Sequence, residues 1–416
     1  MKVLKHVMGD IEVTKDLLLL LTIGGLYALS IALSNTFVNV YLWKQTGEFA
    51  DIGIYNLSVV ISQPLTFILA GRWAKKMDRV IVLRIGVIFL ALFYITVLFL
   101  GQNAGHLLIL LGALLGIGFG FYWLAFNVLT FEITEPDTRD FFNGFLGLLT
   151  SFAGMIGPIF AGFVISSLES YTGYKIIFGV SLLLFFAAVI LSFFLKRRSA
   201  KGNFSFMRVF NERKSNSDWL NVLHAHFFQG LREGTFIFII AVLVFITTGS
   251  ELAIGTFGLV NSAVSFLVYY LATRLIKPRF RIKAILYAGT MLYLSVFILT
   301  LDLTFPRLLI YGICISIAYP IFFVPYVSLT YDVIGKAWNA AEMRIEYIVV
   351  REVYLNLGRI VSITIFLIAI SISKDTEIVP FLLLILGIGH SVIYLFYRKL
   401  KIVKAFNEKS ASKPAQ

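Results

Sequence analysis

Leu129-Thr130-Phe131-Glu132-Ile133 closes one long apolar run of the chain, and Leu329-Thr330-Tyr331-Asp332-Val333 closes another 200 residues later. Working outward, Leu65-Thr-Phe-Ile-Leu-Ala-Gly-Arg72 is echoed by Leu267-Val-Tyr-Tyr-Leu-Ala-Thr-Arg274, and Gly25-Leu26 by Gly230-Leu231. The shifts all fall between 200 and 205 residues, so the order of elements is kept. One such match is within reach of chance; three in register point to an internal duplication. Two parallel copies imply a pseudo-two-fold axis along the membrane normal if the runs are membrane spans.

The composition says that they are. Of 416 residues 59% are hydrophobic and 14% charged, against about 25% charged in soluble domains. Apolar runs long enough to cross a ~30 Å hydrocarbon core recur along the whole length. Strand-period alternation is missing, which disfavours a β-barrel. Spans are predicted near 17–42, 52–70, 80–100, 107–131, 142–165 and 176–195, then 220–247, 254–273, 284–301, 308–331, 347–372 and 379–397. The run from Leu17 to Leu42 is too long for a signal-peptide core and reads as a retained first span. The expected fold is an all-α membrane protein of twelve transmembrane helices in two six-helix repeats. Its parts are a first bundle over 1–195, a central loop over 196–219, a second bundle over 220–398 and a tail over 399–416.

The net charge of +13 is explained by topology. One set of loops carries Arg72, Lys75, Lys76 and Arg79, the central loop, Arg274 to Lys283 and the tail; the opposite loops hold only Lys44, Lys175, Arg307 and Lys374. By the positive-inside rule both termini and the central loop are expected in the cytoplasm, in the plasma membrane. Membrane lipids are the expected contacts of this charge, and nucleic acid is not. The single Cys314 lies inside an apolar run and excludes a disulfide framework.

Gly71, Lys75, Lys76, Asp78 and Arg79 follow the second span, and Gly144, Ala153, Gly157-Pro158 and Ala161-Gly162 punctuate the fifth. In these motifs the chain resembles the major facilitator superfamily over essentially its whole length. Lys75 stands where the loop motif of that family has an aspartate. The span-five match carries two Gly→Ala exchanges, and that motif is associated with antiporters. The span-four arginine motif is missing, because Gly112 occupies its place; this weakens a carry-over of proton-coupled drug export. The resemblance implies a cavity lined by spans one, four, seven and ten.

Ionisable residues inside a membrane cost at least ~2.5 kcal/mol at its centre and therefore mark candidate sites. Span seven carries Gln229, Arg232 and Glu233 near its midpoint, within one turn of each other. Arg232 is expected to hold an anionic group and Glu233 to couple protons or serve as counter-ion; a mutually neutralising structural pair is the plainer alternative. Span eleven places Glu352, Asn356 and Arg359 on one stripe, read as an interhelical lock with Glu352 the nearest partner for Arg359. Tyr122, Trp123, Phe126 and Asn127 on span four, and Tyr319 and Phe323 on span ten, are expected to face each other as substrate contacts; aromatics at helical spacing are more often lipid-facing or core. Gly157, Pro158 and Gly162 are candidate gating elements or simple close packing. Glu132 and Asp332 are expected to pair with the loops Lys75/Lys76/Arg79 and Lys277/Arg279 in a gate, with Arg139 and Arg344 nearby.

Together these point to a secondary transporter, monomeric, working by alternating access on a small organic or amphipathic substrate, with an anionic one admitted. Proton-coupled export or antiport leads, and protons are the candidate coupling ion. Solute uptake, lipid flipping and a non-transporting sensor or assembly partner are the alternatives. No phosphate-binding Gly-x-x-x-x-Gly-Lys-Ser/Thr loop occurs, so ATP drive and cofactors are not expected. His224 and His226 sit two apart on roughly opposite sides of a helix, which argues against a metal site, and no catalytic constellation is legible.

Overall fold

The computed structural model describes residues 14–133, 136–169, 171–196, 202–373 and 378–403. Residues 197–201 of the central loop and 404–416 of the tail lie outside this set, as does the side chain of Arg139. Among the described residues twelve helices are long and apolar enough to cross a membrane. In chain order they are α1 (Lys15–Thr46), α2 (Phe49–Ala74), α3 (Arg79–Leu100), α4 (Leu108–Ile133), α5 (Pro136–Ser166) and α6 (Thr172–Ser192). The second set is α7 (Ser217–Thr248), α8 (Glu251–Leu275), α9 (Arg281–Leu294), α10 (Phe305–Gly335), α11 (Arg344–Ser373) and α12 (Ile378–Tyr397, with a one-residue break). A short linker helix, Phe206–Glu212, joins the two sets.

Local signals explain several boundaries. The Thr14 hydroxyl accepts from the Leu17 N–H and starts α1; Asp78 caps α3, Asn216 caps α7 and Ser250 caps α8 in the same way. Gly47 ends α1 at φ 70° and Gly249 ends α7 at φ 63°, a left-handed stop that glycine adopts without penalty. These two glycines stand 202 residues apart, so the duplication is visible even in the helix stops.

The packing repeats as well. Helix α1 lies against α5 and α6, α2 against α4, and α3 against α4 and α6; α7 lies against α11 and α12, α8 against α10, and α9 against α10 and α12. The sets meet along α2–α11 and α5–α8, with α1 touching α7. Close approach explains the α5–α8 seam: a Cβ at Gly162 would stand 2.6 Å from the Glu251 carbonyl oxygen, and one at Gly258 2.7 Å from Pro158. Large apolar side chains such as Phe99 and Ile372 are exposed on the outer surface, as lipid contact requires. A helix satisfies its backbone hydrogen bonds within its own segment, the condition for lying in hydrocarbon, except at the turns opened by the interior prolines Pro64, Pro158, Pro320 and Pro325.

Candidate functional site

A cavity of about 560 Å³ opens between α1, α2 and α4 of the first set and α7, α10 and α11 of the second. That volume suits a small organic molecule. Its wall follows from helical period. Phe119, Trp123 and Asn127, four apart on α4, line it, and Tyr319, Phe323 and Val327 line it from α10 at a shift of 200. Trp123 is 37% exposed into this space, and the Tyr319 and Phe323 rings stack at 5.1 Å.

Tyr122 and Phe126 do not share the wall. A residue next to the stripe is turned by about 100°, so Tyr122 stacks on Tyr27 of α1 at 3.9 Å and Phe126 packs against Gly24. The expected cavity-facing aromatics are corrected in these two cases.

The charged part of the wall exists because α7 and α11 touch backbone to backbone. A Cβ at Gly230 would collide with the Leu355 carbonyl, one at Gly358 with the Phe227 carbonyl, and one at Gly234 would lie 2.7 Å from the Arg359 carbonyl oxygen. At that spacing Arg359 Nη2 donates to Glu233 Oε2 at 2.7 Å. Gln229 Nε2 donates to Glu233 Oε1 at 2.9 Å, and the Tyr319 hydroxyl points at the same oxygen from 3.5 Å. The partner of Arg359 is therefore Glu233 and not Glu352. Seven residues are about 10.5 Å along a helix, farther than the neighbouring helix; Glu352 is taken by Arg351 at 2.6 Å.

Arg232 departs from expectation too. It neither pairs with Glu233 nor faces the cavity; its guanidinium lies 4.3 Å from the Phe236 ring centre, and its stem backs onto Gly389 of α12. Adjacent residues on a helix diverge, so only one of the two could turn inward. Among the described residues no group of three or more His, Cys, Asp or Glu gathers to hold a metal. His226 lines the cavity, its ring 2.8 Å from the Val222 carbonyl, while His224 lies against Phe396.

Ion pairs join the two sets at both ends of the cavity. At the basic end Lys75 Nζ meets Glu346 Oε1 at 2.6 Å and also donates to the carbonyls of Glu342 (3.0 Å) and Asn203 (3.4 Å). The Ser205 N–H of the linker donates to the same carboxylate oxygen at 3.1 Å. At the opposite end Lys44 Nζ meets Glu251 Oε1 at 2.8 Å, with the Tyr174 hydroxyl donating to it at 2.9 Å. The candidate gate residues form pairs inside one set: Arg79 with Glu132 (2.7 Å) and Arg281 with Asp332 (3.0 Å). For Asp332 this replaces the expected Lys277 and Arg279. Arg344 borders a crevice with Lys75, Arg79 and Glu132. Gly157 packs against Ala32 of α1, whereas Pro158 and Gly162 meet α8.

The part of the wall supplied by α1 and α2 was not anticipated from the sequence. Asn35, Asn39, Asn56 and Gln63 all line the cavity, and the signal was there: carboxamides four and seven residues apart within apolar spans.

A family model described as Major Facilitator Superfamily matches residues 20–362. The chain belongs to the major facilitator superfamily. Among its relatives, the Bacillus subtilis (strain 168) protein YqgE is 63% identical over 401 residues, which span 96% of this chain and 93% of that protein. A Geobacillus stearothermophilus protein described by its place in the sodM 3' region is 67% identical over 170 residues, 41% of this chain and 79% of that one. The crystal structure of the human organic anion transporter MFSD10 (TETRAN) superposes with a TM-score of 0.68 at 13% identity, over 92% of this chain and all of that chain. That likeness concerns the fold. Within this superfamily frame the two motif departures acquire reasons. Lys75 is held across the α2–α11 seam by an acidic partner, and Gly112 has no room for a side chain, since a Cβ there would collide with the Tyr55 carbonyl.

Proposed function

We propose that this major facilitator is a secondary transporter that moves a small organic solute by alternating access. The carrying observation is one cavity shared by the two helix sets, with ion pairs between those sets at both ends. Breaking Lys75–Glu346 opens the basic end; breaking Lys44–Glu251 opens the other; the cavity between them is the transport site. Glu233 and Arg359 are the coupling pair: a proton taken up by the carboxylate releases the guanidinium and loosens the α7–α11 wall. Gly157, Pro158 and Gly162 are the sliding surfaces of α5 against α1 and α8. The protein acts as a monomer in the plasma membrane, with residues 1–195 and 220–398 as the rocking halves and both termini in the cytoplasm, as the basic loops support.

Proteoliposomes carrying the purified protein test this directly. An inward or outward pH gradient is imposed and uptake of a labelled solute panel is followed. Gradient-dependent accumulation that is lost in Glu233→Gln supports the reading; facilitated movement with no response to any ion gradient removes the coupling role.

A further inference from the structure

Which solutes the cavity accepts can be read from hydrogen-bond capacity left over on its wall; the inference rests on the cavity being the transport site. The four charged residues of the wall are already matched, Glu233 with Arg359 at 2.7 Å and Arg351 with Glu352 at 2.6 Å. While these pairs are made, as in this structure, a charged cargo has to break one of them or enter without a counter-charge, and both are costly in a desolvated site. With Arg232 turned away, no spare cation among the described residues faces the space.

The unused capacity is of another kind. The carboxamides of Asn35, Gln63 and Asn127 face the cavity with no protein partner among the described residues. Gln229 Oε1 and the Tyr55 hydroxyl, both buried, also lack one. A carboxamide offers both donors and an acceptor, Gln229 Oε1 accepts only, and a phenol does either. A carboxylate or phosphate cargo only accepts, so it would satisfy the amide N–H groups and leave the oxygens facing negative charge. Hydroxyl groups donate and accept, so they satisfy both. Above them stand flat aromatic faces, Phe119 and Trp123 on one side and stacked Tyr319 and Phe323 on the other, suited to the C–H face or plane of a ring.

We propose that the cargo is an uncharged, polyhydroxylated ring compound, of the glycoside or nucleoside class.

The test uses the full chain in lipid nanodiscs free of glycoside detergent, with binding read by calorimetry and thermal shift. The probes are methyl glucoside, maltose and uridine, against glucuronate as a carboxylate of the same ring size. A neutral probe is expected to bind at least tenfold more tightly than glucuronate. Gln63→Leu and Asn127→Leu, two variants on different helices, are each expected to weaken it tenfold or more while the apo melting temperature is kept. Preference for maltose and methyl glucoside over uridine assigns the glycoside source; the reverse assigns the nucleoside. Glucuronate binding as tightly as the neutral probes, or an organic anion binding where all neutral rings fail, overturns the cargo class. In that event binding that still falls in Gln63→Leu keeps the cavity as the site. Binding of any probe that ignores both wall variants overturns the cavity reading itself.

Discussion

Neutralising Glu346 or Lys75 separates a lock between halves from mere decoration. The Glu346 side chain is 0% exposed and that of Lys75 10% exposed, at 2.6 Å. Deleting one member of such a buried pair costs about 3–5 kcal/mol, because the other charge is stranded. The two deletions should not cost the same. Glu346→Gln leaves the ammonium donating to the carbonyls of Glu342 and Asn203, so its effect belongs at about 3 kcal/mol. Lys75→Met leaves a carboxylate whose remaining donor among the described residues is the Ser205 N–H, and belongs nearer 5 kcal/mol, at about the top of that range. If the pair exists only while the basic end is closed, the whole cost tilts the closed-to-open ratio. At about 1.4 kcal/mol per decade this is roughly a hundredfold for Glu346→Gln and a few thousandfold for Lys75→Met. Nitroxide pairs at Lys76→Cys and Lys336→Cys, both exposed at the basic end, in a Cys314→Ser background, report the separation by pulsed dipolar spectroscopy. A longer distance should grow in both single variants, more in Lys75→Met, and shrink again in the swap Lys75→Glu/Glu346→Lys. Unchanged distance distributions in both single variants would refute the lock.

At the opposite end, Lys44→Met and Glu251→Gln should bias the protein the other way, raising maleimide labelling of an Asn56→Cys reporter from that side; equal labelling rates would dismiss the second lock. Gly230→Ala and Gly358→Ala should lower the melting temperature by several degrees and abolish transport, since a methyl group meets a backbone carbonyl in each case, beyond the usual 1–3 kcal/mol of overpacking. Gly179→Ala, with nothing within 4 Å of the added carbon, is the silent control. Arg359→Gln should cost solute movement itself, whereas Arg232→Ala should lower stability and leave solute selectivity as it was; a selectivity change in Arg232→Ala would put that residue back on the solute path.

How much was legible in the sequence depends on which physical rule applied. Twelve spans were readable because hydrocarbon imposes one length and one composition on every crossing helix. The repeat was readable because it needs only order and interval. Trp123, Asn127, Tyr319 and Phe323 line the cavity whereas Tyr122 and Phe126 beside them do not, and nothing in a helix sequence marks which sector of about 100° faces inward. The duplication supplied that mark unused: Phe119, Trp123 and Asn127 map onto Tyr319, Phe323 and Val327, and two copies of one stripe share one inward face. Partner choice was less legible still. The nearest carboxylate to Arg359 in its own helix is Glu352, whereas Gly230 and Gly358, 128 residues apart on two helices, bring Glu233 closer. Lys75–Glu346 and Lys44–Glu251 span 271 and 207 residues, and no local pattern encodes a contact at that range.

The duplication also shows where the halves have stopped being equivalent. Arg79–Glu132 in the first half has its image in Arg281–Asp332 in the second, at shifts of 202 and 200. These pairs stay within a half and are kept in both. Among the described residues the pairs that join the halves have no such image: Lys75, just past the end of α2, meets Glu346 on α11, whereas the other seam of the same kind, α5 with α8, is closed by Pro158, Gly162, Gly255 and Gly258. One seam is thus held by charge and the other by backbone contact. A charged pair is either made or broken, whereas small residues let two helix backbones lie against each other. In the proposed rocking motion the α5–α8 seam is the pivot and the α2–α11 pair is the contact made and broken. The wall divides the same way, with neutral carboxamides on α1, α2 and α4 and paired charges on α7 and α11. Recognition by the first half and coupling by the second is the assignment that this asymmetry supports.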